Sequence, residues 1–145
     1  MLFRSEHAGL NKASCKTKEL KIHGYAESND TSHLSIYGSD AALIKKMMEE
    51  DISLSEKIHP QYPYTKAEVK WMLQNEMALT VEDILARRIR LLFLDANAAI
   101  EAAPLVATVM AKELNKDEQW INQQVTIFKS LAQNYFIDLQ PKTLN

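Results

Sequence analysis

The sequence predicts an all-α fold, an irregular bundle of four to five helices preceded by an extended, loop-rich N-terminal segment. Apolar residues recur at helical spacing in several segments after residue 39, and capping residues or prolines separate those segments. A length of 145 residues suffices for one hydrophobic core without disulfides or bound metals. We therefore expect a connector over residues 1–38 and a single helical domain over residues 39–140.

The connector has no sustained helical period and is rich in Ser, Asn, Lys and His. Apolar residues alternate weakly at Leu20 and Ile22, and again at Leu34 and Ile36. Alternation of this kind is typical of strands, so both stretches are expected to be extended. A short two-stranded pairing of them is one arrangement consistent with the pattern.

The first helix is expected over about residues 40–50, with Ser39 as its N-cap. Its residues available for burial are Leu43, Ile44, Met47 and Met48. Pro60 and Pro63 then require an extended connection, because proline fixes φ and restricts the residue before it.

The second and third helices are both predicted from capping signals. Thr65 and Glu68 have the spacing of a capping box, and the helix that they open should run to about Met77. Thr80 with Asp83 is a weaker signal of the same kind at the start of the third helix.

Two long helices complete the predicted bundle. Asp95 is expected to cap a helix over about residues 96–114, which Pro104 should kink or split. Asn115 or Asp117 caps a final helix that reaches about Leu139. One apolar stripe of that helix consists of Ile121, Val125, Phe128, Ala132, Tyr135 and Leu139, and a second consists of Trp120, Ile127 and Leu131.

Two charged residues fall on apolar helical faces. At about 100° per residue, Arg88 lies at the centre of an arc formed by Val81, Ile84, Leu85, Leu91 and Leu92. Glu76 lies in the same way among Val69, Met72, Leu73 and Met77. Because an unpaired buried charge is costly, the sequence predicts a buried ion pair of Glu76 with Arg88 that has a structural role.

The opposite face of the third helix carries Arg87 and Arg90 beside Asp83. A solvated face with a local ion pair is the simpler interpretation. The alternative is a docking surface for a partner domain or an anionic headgroup, because a guanidinium group suits carboxylate and phosphate. Further candidates for this docking surface are Trp71, Trp120, Ile127 and Leu131.

The composition excludes several classes of protein. Seventeen basic against 19 acidic residues give a net charge of −2, which provides no long-range attraction for nucleic acid. The single cysteine, Cys15, fits a reducing, cytoplasmic compartment. No apolar run approaches the length of a membrane span, so membrane contact is expected only through other parts of a larger protein.

The sequence offers no candidate for a catalytic, cofactor-binding or metal-binding residue. Its three glycines, Gly9, Gly24 and Gly38, are isolated, whereas a dinucleotide-binding loop needs three glycines close together. None of the four histidines has a paired ligand spacing. No nucleophile has an orienting base beside it.

The stretch from Glu76 to Asp95 resembles a signature of a known family. It is similar to the C-terminal domain of FAD-dependent glycerol-3-phosphate dehydrogenases and the related alpha-glycerophosphate oxidases. Four further pieces agree in the same order, and the five together span about residues 15–136. These pieces are Leu20–Gly24, Tyr37–Ala41, Ala103–Ala107 and Glu113–Asn115.

The resemblance implies a parent enzyme that transfers hydride from glycerol 3-phosphate to FAD, yields dihydroxyacetone phosphate and passes the electrons to quinone, as in the dehydrogenases, or to oxygen, as in the oxidases. This chain would be the accessory helical domain of that enzyme. It would hold no cofactor, since FAD belongs to the parent, and it would pack on a flavin domain that lies upstream in the same polypeptide. A homodimer is a further expectation, as is a cytoplasmic location, peripheral to the inner membrane through the parent.

One alternative of a different class stays open at this point. The chain could be a free-standing helical module that binds protein or nucleic acid through Arg87, Arg88 and Arg90. The acidic net charge and the expected burial of Arg88 argue against nucleic acid as the partner.

Overall fold

The computed structural model describes residues 7–9, 16–27 and 31–136. Within these ranges the α-helices are α1 (Ala41–Glu50), α2 (Lys66–Asn75), the single turn α3 (Leu91–Leu94), α4 (Ala96–Leu114) and α5 (Glu118–Ala132). A π-helical segment covers Asp83–Arg88, and 3₁₀ helices cover His33–Asp40, Ile52–Ser55 and Gln133–Tyr135. The described residues contain no strand, only one antiparallel bridge between Lys57 and Thr65. The predicted all-α class is confirmed.

The segment before α1 is a 3₁₀ helix where the sequence pattern predicted an extended stretch. It buries Leu34 and leaves Ile36 exposed. Gly38 interrupts the helix with φ 55° and ψ −125°, and the chain turns there into α1. The two-stranded pairing is therefore wrong for the residues that the structure describes, because a 3₁₀ turn already uses the backbone groups that pairing needs. Ser39 does not cap α1 either, since Asp40 occupies the N-cap position and the Ser39 hydroxyl donates to the Asp40 carboxylate at 3.4 Å.

A small core cluster joins α1 to α2. Ile44 of α1 is fully buried there, and Trp71 of α2 is only 8% exposed. Trp71 is thus part of the interior, and its assignment to an outward docking surface is wrong. The tryptophan lies off the main apolar arc of α2 because it faces α1, which packs on the other side. Leu43, expected to be buried, is 51% exposed.

The capping box at the start of α2 is confirmed. The backbone amide of Thr65 donates to a carboxyl oxygen of Glu68 at 2.8 Å, and the hydroxyl oxygen of Thr65 accepts from the backbone amide of Glu68. The helix ends at Asn75, slightly before the predicted end, because Met77 has a positive φ of 53° that a helix cannot contain.

The third predicted helix is split. Ile89 donates its amide to the carbonyl of Ile84, five residues back, at 2.9 Å, which is the hydrogen bond of a π-helix. Arg90 then has a left-handed φ of 61° and ends the segment. Side chains in this segment therefore do not follow the 100° rotation of an α-helix. The cap from Thr80 and Asp83 is confirmed, with the Thr80 amide donating to the Asp83 carboxylate at 3.0 Å.

α4 and α5 pack together, and both contribute to the main core. Asp95 caps α4 through the amide of Ala98 at 3.0 Å, and Asp117 caps α5 through the amide of Trp120 at 2.9 Å, both as predicted. α4 continues through Pro104 without being split. It buries Ala98, Ala99, Ala102, Ala103, Ala107 and Ala111, small residues that allow a neighbouring helix to approach closely.

α5 ends at Ala132 and a 3₁₀ turn follows. The predicted end of the last helix at Leu139 lies outside the described residues. In the part of the chain that is described, no helix has the length and apolar character needed to cross a bilayer.

Candidate functional site

Glu76 and Arg88 meet as an ion pair at the edge of the main core. The Nε atom of Arg88 lies 3.4 Å from a carboxyl oxygen of Glu76. The Glu76 side chain is 34% exposed, and the Arg88 side chain is 21% exposed. The pair therefore lies partly in solvent and not in the dry interior that the sequence predicted. Burial raises the pKa of Glu76, and the positive charge of Arg88 opposes that rise.

Arg88 also binds two backbone carbonyls. One terminal nitrogen donates to the carbonyl oxygen of Asp83 at 2.9 Å, and the other donates to the carbonyl of Glu76. These carbonyls lie at the start of the π-helical segment and just after the end of α2. One guanidinium group therefore ties two consecutive elements together, a use that suits its fixed fork of donors.

Replacing Arg88 by Lys is expected to destabilise the domain by about 1–2 kcal/mol, because one ammonium group cannot serve both carbonyls and the Glu76 carboxylate. Urea unfolding followed by far-UV circular dichroism measures the change. Arg87→Lys is the matched control, since the Arg87 side chain is 65% exposed and should change stability by no more than about 0.5 kcal/mol. Equal effects of the two variants would contradict this role for Arg88.

The other charged candidates of this segment have local partners. Arg87 pairs with Glu82 at 2.7 Å and with Asp83 at 3.2 Å. Burial opposes ionisation of Asp83, but hydrogen bonds from Leu79 and Thr80 outweigh it and lower the pKa of Asp83. Asp83 is therefore occupied as a helix cap.

Arg90 contributes to an exposed group of apolar side chains. Its guanidinium carbon lies 5.9 Å from the centre of the Phe93 ring. Phe93 in turn meets Tyr135 edge to face, with ring centres 5.4 Å apart. We call Phe93, Leu94, Ile127 and Tyr135 the aromatic face, and all four are at least 41% exposed.

The second stripe of α5 does not form one exposed surface. Ile127 is 51% exposed, whereas Trp120 and Leu131 are partly buried against the main core. The bundle itself thus covers part of this stripe.

A buried polar cluster around Glu68 was not predicted. The Glu68 side chain is fully buried. It accepts hydrogen bonds from the Thr65 amide at 2.8 Å, the Thr65 hydroxyl at 3.1 Å and the Tyr37 hydroxyl at 3.2 Å. His33 Nε2 lies 3.0 Å from the same carboxyl group. The capping-box spacing identified Thr65 as a partner, but nothing in the sequence pattern joins Glu68 to residues more than 30 positions earlier.

A second cluster fastens the proline-containing loop to α4. His59 Nδ1 accepts from the Gln61 amide at 3.3 Å, so Nε2 carries the hydrogen that points to Glu101, 3.1 Å away. Tyr62 donates its hydroxyl hydrogen to Asp95 at 3.1 Å. Among the described residues, no group of three His, Cys, Asp or Glu side chains is placed to hold a metal ion.

The connector meets the 3₁₀ helix at two glycines. The Gly24 carbonyl accepts from the Ser39 amide, and a Cβ atom at Gly38 would overlap that carbonyl. His23 Nε2 lies 2.9 Å from Asp40. The structure therefore brings together two of the short sequence pieces on which the family resemblance was based.

Replacing Gly38 by Ala is expected to release the connector and cost about 1–3 kcal/mol, because the new Cβ atom meets backbone and the φ of 55° favours glycine. Limited proteolysis at the lysines of residues 16–21 and urea unfolding measure the two effects. Gly24→Ala is the control, because that Cβ atom would meet nothing within 4 Å and only the φ of 82° is strained. If the Gly38→Ala variant resisted proteolysis and urea as well as the Gly24→Ala variant does, Gly38 would not be needed to hold the connector.

Comparison with known proteins identifies the family. The family of the C-terminal domain of alpha-glycerophosphate oxidase matches residues 15–121. A probable mitochondrial glycerol-3-phosphate dehydrogenase of Dictyostelium discoideum is 35% identical over 95% of this chain and 24% of its own length. The mitochondrial glycerol-3-phosphate dehydrogenase of Homo sapiens is 36% identical over 68% of this chain and 14% of its own length.

The Arabidopsis thaliana mitochondrial glycerol-3-phosphate dehydrogenase is 28% identical over 79% of this chain and 18% of its own length. No solved structure matches. The chain thus spans about a quarter or less of the length of these relatives. Since the family match covers most of the sequence, the chain belongs to the family of the C-terminal domain of alpha-glycerophosphate oxidase.

Proposed function

We propose that this chain acts as the accessory helical domain of an FAD-dependent glycerol-3-phosphate dehydrogenase and has no reaction centre of its own. Residues 1–38 would link the flavin-binding part to the helical domain of residues 39–140. The observation that carries the proposal is the family match over residues 15–121, together with relatives that are named as glycerol-3-phosphate dehydrogenases.

The use of carboxyl groups in the structure supports an accessory role. Glu68, Asp83, Asp95 and Asp117 each accept a backbone amide at the start of a helical element. Carboxyl groups occupied in this way stabilise helix ends and are not free for acid–base chemistry on a substrate.

In the proposed parent reaction, hydride passes from glycerol 3-phosphate to FAD, and the electrons then pass to quinone. FAD would be bound by the upstream part of the polypeptide, which also makes any membrane contact. The relatives are named as mitochondrial, whereas the cytoplasmic location expected from Cys15 stays a prediction, as does a homodimer.

The free-standing binding module is less well supported. Arg87 and Arg88 are occupied by ion pairs, and Arg88 also by backbone carbonyls. A nucleic-acid partner would need a surplus of positive charge, whereas the net charge is −2.

The test is a chimera in which this chain replaces the matching segment of the Dictyostelium discoideum relative. We expect the chimera to hold flavin and to reduce a dye in the presence of glycerol 3-phosphate, and the relative truncated before that segment to lose this activity. The isolated chain should show neither flavin absorbance nor turnover. Bound flavin or turnover in the isolated chain would contradict the proposal, as would a chimera no more active than the truncated relative.

A further inference from the structure

The connector lies on the helical body with its apolar side chains in solvent. Of residues 16–27, all except Gly24 are exposed. Leu20 and Ile22 are 63% and 72% exposed, and Tyr25 is 47% exposed. Exposed apolar side chains are costly in water, and several of them close together in the chain indicate a site where another molecule or domain binds.

The backbone that carries these side chains is held in place by hydrogen bonds. The Tyr25 amide donates to the Ile22 carbonyl at 3.1 Å and closes a turn. The backbone of Gly24 in the same turn is bound to Ser39, as described above. A surface fixed before binding loses less entropy when a partner covers it.

A cavity of about 460 Å³ lies beside this turn. Small residues form much of its wall, among them Gly24, Ala26, Ala41 and Ala42. Ile36 lies at the same cavity and is 72% exposed. Ser35, Ser39 and Lys45 also line the cavity, and the small residues beside the exposed Ile36 leave room for an apolar side chain from outside. We call Leu20, Ile22, Tyr25, Ile36 and this cavity the connector face.

The family match and the lengths of the relatives indicate what covers this face. The match begins at residue 15, and the Dictyostelium relative has about three quarters of its length outside the aligned region. Because the family is a C-terminal domain, the preceding polypeptide of such proteins enters through the connector. The 23 residues that precede the Gly24 anchor in this chain span at most about 80 Å, so a domain joined before them stays tethered near the connector face.

We infer that the connector face is the surface on which the preceding, flavin-binding part of the polypeptide docks, with an apolar segment of that part seated in the cavity. This inference rests on the proposed function and names the face that it uses. The aromatic face is the competing surface. Two of its members, Phe93 and Tyr135, already contact each other edge to face, and its residues lie at positions 93–135, far along the chain from the connector.

The experiment measures how fast single thiols react with a maleimide reagent. Ile36→Cys, Ile127→Cys and Ile52→Cys are each made in a Cys15→Ser background, in the isolated 145-residue chain and in the chimera. Ile36 represents the connector face and Ile127 the aromatic face, while Ile52 is 81% exposed and serves as the control. Peptide mass spectrometry assigns the label, so cysteines of the relative do not interfere.

We expect the I36C thiol to react at least about tenfold more slowly in the chimera than in the isolated chain, because docking must open before labelling. The I52C and I127C thiols should react at the same rate in both. Adding Ile22→Asp to the chimera should restore fast labelling of I36C, whereas Lys46→Asp, an exposed change on α1, should not.

The outcomes separate this inference from the proposed function. Slow labelling of I127C with fast labelling of I36C would show docking through the aromatic face and would overturn the inference alone. The inference would also be overturned if, in an active chimera, all three thiols reacted at the same rates as in the isolated chain. Fast labelling everywhere in a chimera that lacks dye reduction would count against the proposed function itself. Slow I36C labelling in the isolated chain that depends on its concentration would identify a second copy as the occupant and overturn the inference.

Discussion

Glu68→Ala is expected to destabilise the domain by about 3–5 kcal/mol, the range for removing one partner from a buried polar network. The Glu68 carboxyl group is fully buried. It accepts hydrogen bonds from the Thr65 amide, the Thr65 hydroxyl and the Tyr37 hydroxyl, and it lies within hydrogen-bond distance of the His33 ring. Alanine would leave these groups without their partner. A buried donor that loses its acceptor costs about 1–3 kcal/mol.

The effect should also be visible locally. His33 and Tyr37 belong to the 3₁₀ helix that supports the connector, and Glu68 is their link to α2. Burial and the nearby Glu68 raise the pKa of Tyr37, so its hydroxyl stays neutral and keeps its hydrogen as a donor. Loss of Glu68 should therefore lower the free energy of opening for residues 33–40 as well as that of global unfolding.

Urea unfolding measures the global effect, and amide hydrogen exchange measures the opening of residues 33–40. Glu118→Ala is the control, because Glu118 also lies in the first turn of a helix but is exposed, and it should cost at most about 1 kcal/mol. Glu68→Gln should fall between the two, since an amide retains one acceptor oxygen. A Glu68→Ala variant as stable as Glu118→Ala would show that the cluster contributes little.

The helix starts could be predicted because their signals are local. A capping residue and the amide that it accepts lie three positions apart, as with Asp95 and Ala98 or Asp117 and Trp120. Short-range geometry alone fixes these contacts. The main core follows from the helical spacing of apolar residues for a similar reason.

The sequence did not predict features that depend on tertiary contacts. The projection of Arg88 assumed a continuous α-helix, whereas the π-helical segment and the positive φ of Arg90 change the direction of the side chain. Trp71 was placed outside because a helical projection of α2 cannot show that α1 packs on its second face. The partners of Glu68 lie far away in sequence for the same reason.

Phe128→Ala is the second large expected effect, with a loss of about 3–5 kcal/mol for a buried aromatic side chain. Phe128 is 1% exposed and lies in the main core between α5 and its neighbours. Alanine would remove the ring and leave a cavity, because the helices that surround it can close only partly. The residues that α4 buries in this core are mainly alanines, whose short side chains cannot reach into the gap.

Ile127→Ala is the matched control, because it truncates the neighbouring residue of the same helix, which is 51% exposed. It removes apolar surface that is largely in water already, so its cost should stay below about 1 kcal/mol. Thermal and urea unfolding of both variants provide the comparison. Similar losses for Phe128→Ala and Ile127→Ala would mean that α5 is not fixed on α4 in this register. Because the cost of Phe128→Ala arises inside the domain, it should be the same in the isolated chain and in the chimera, unlike any change at the connector face.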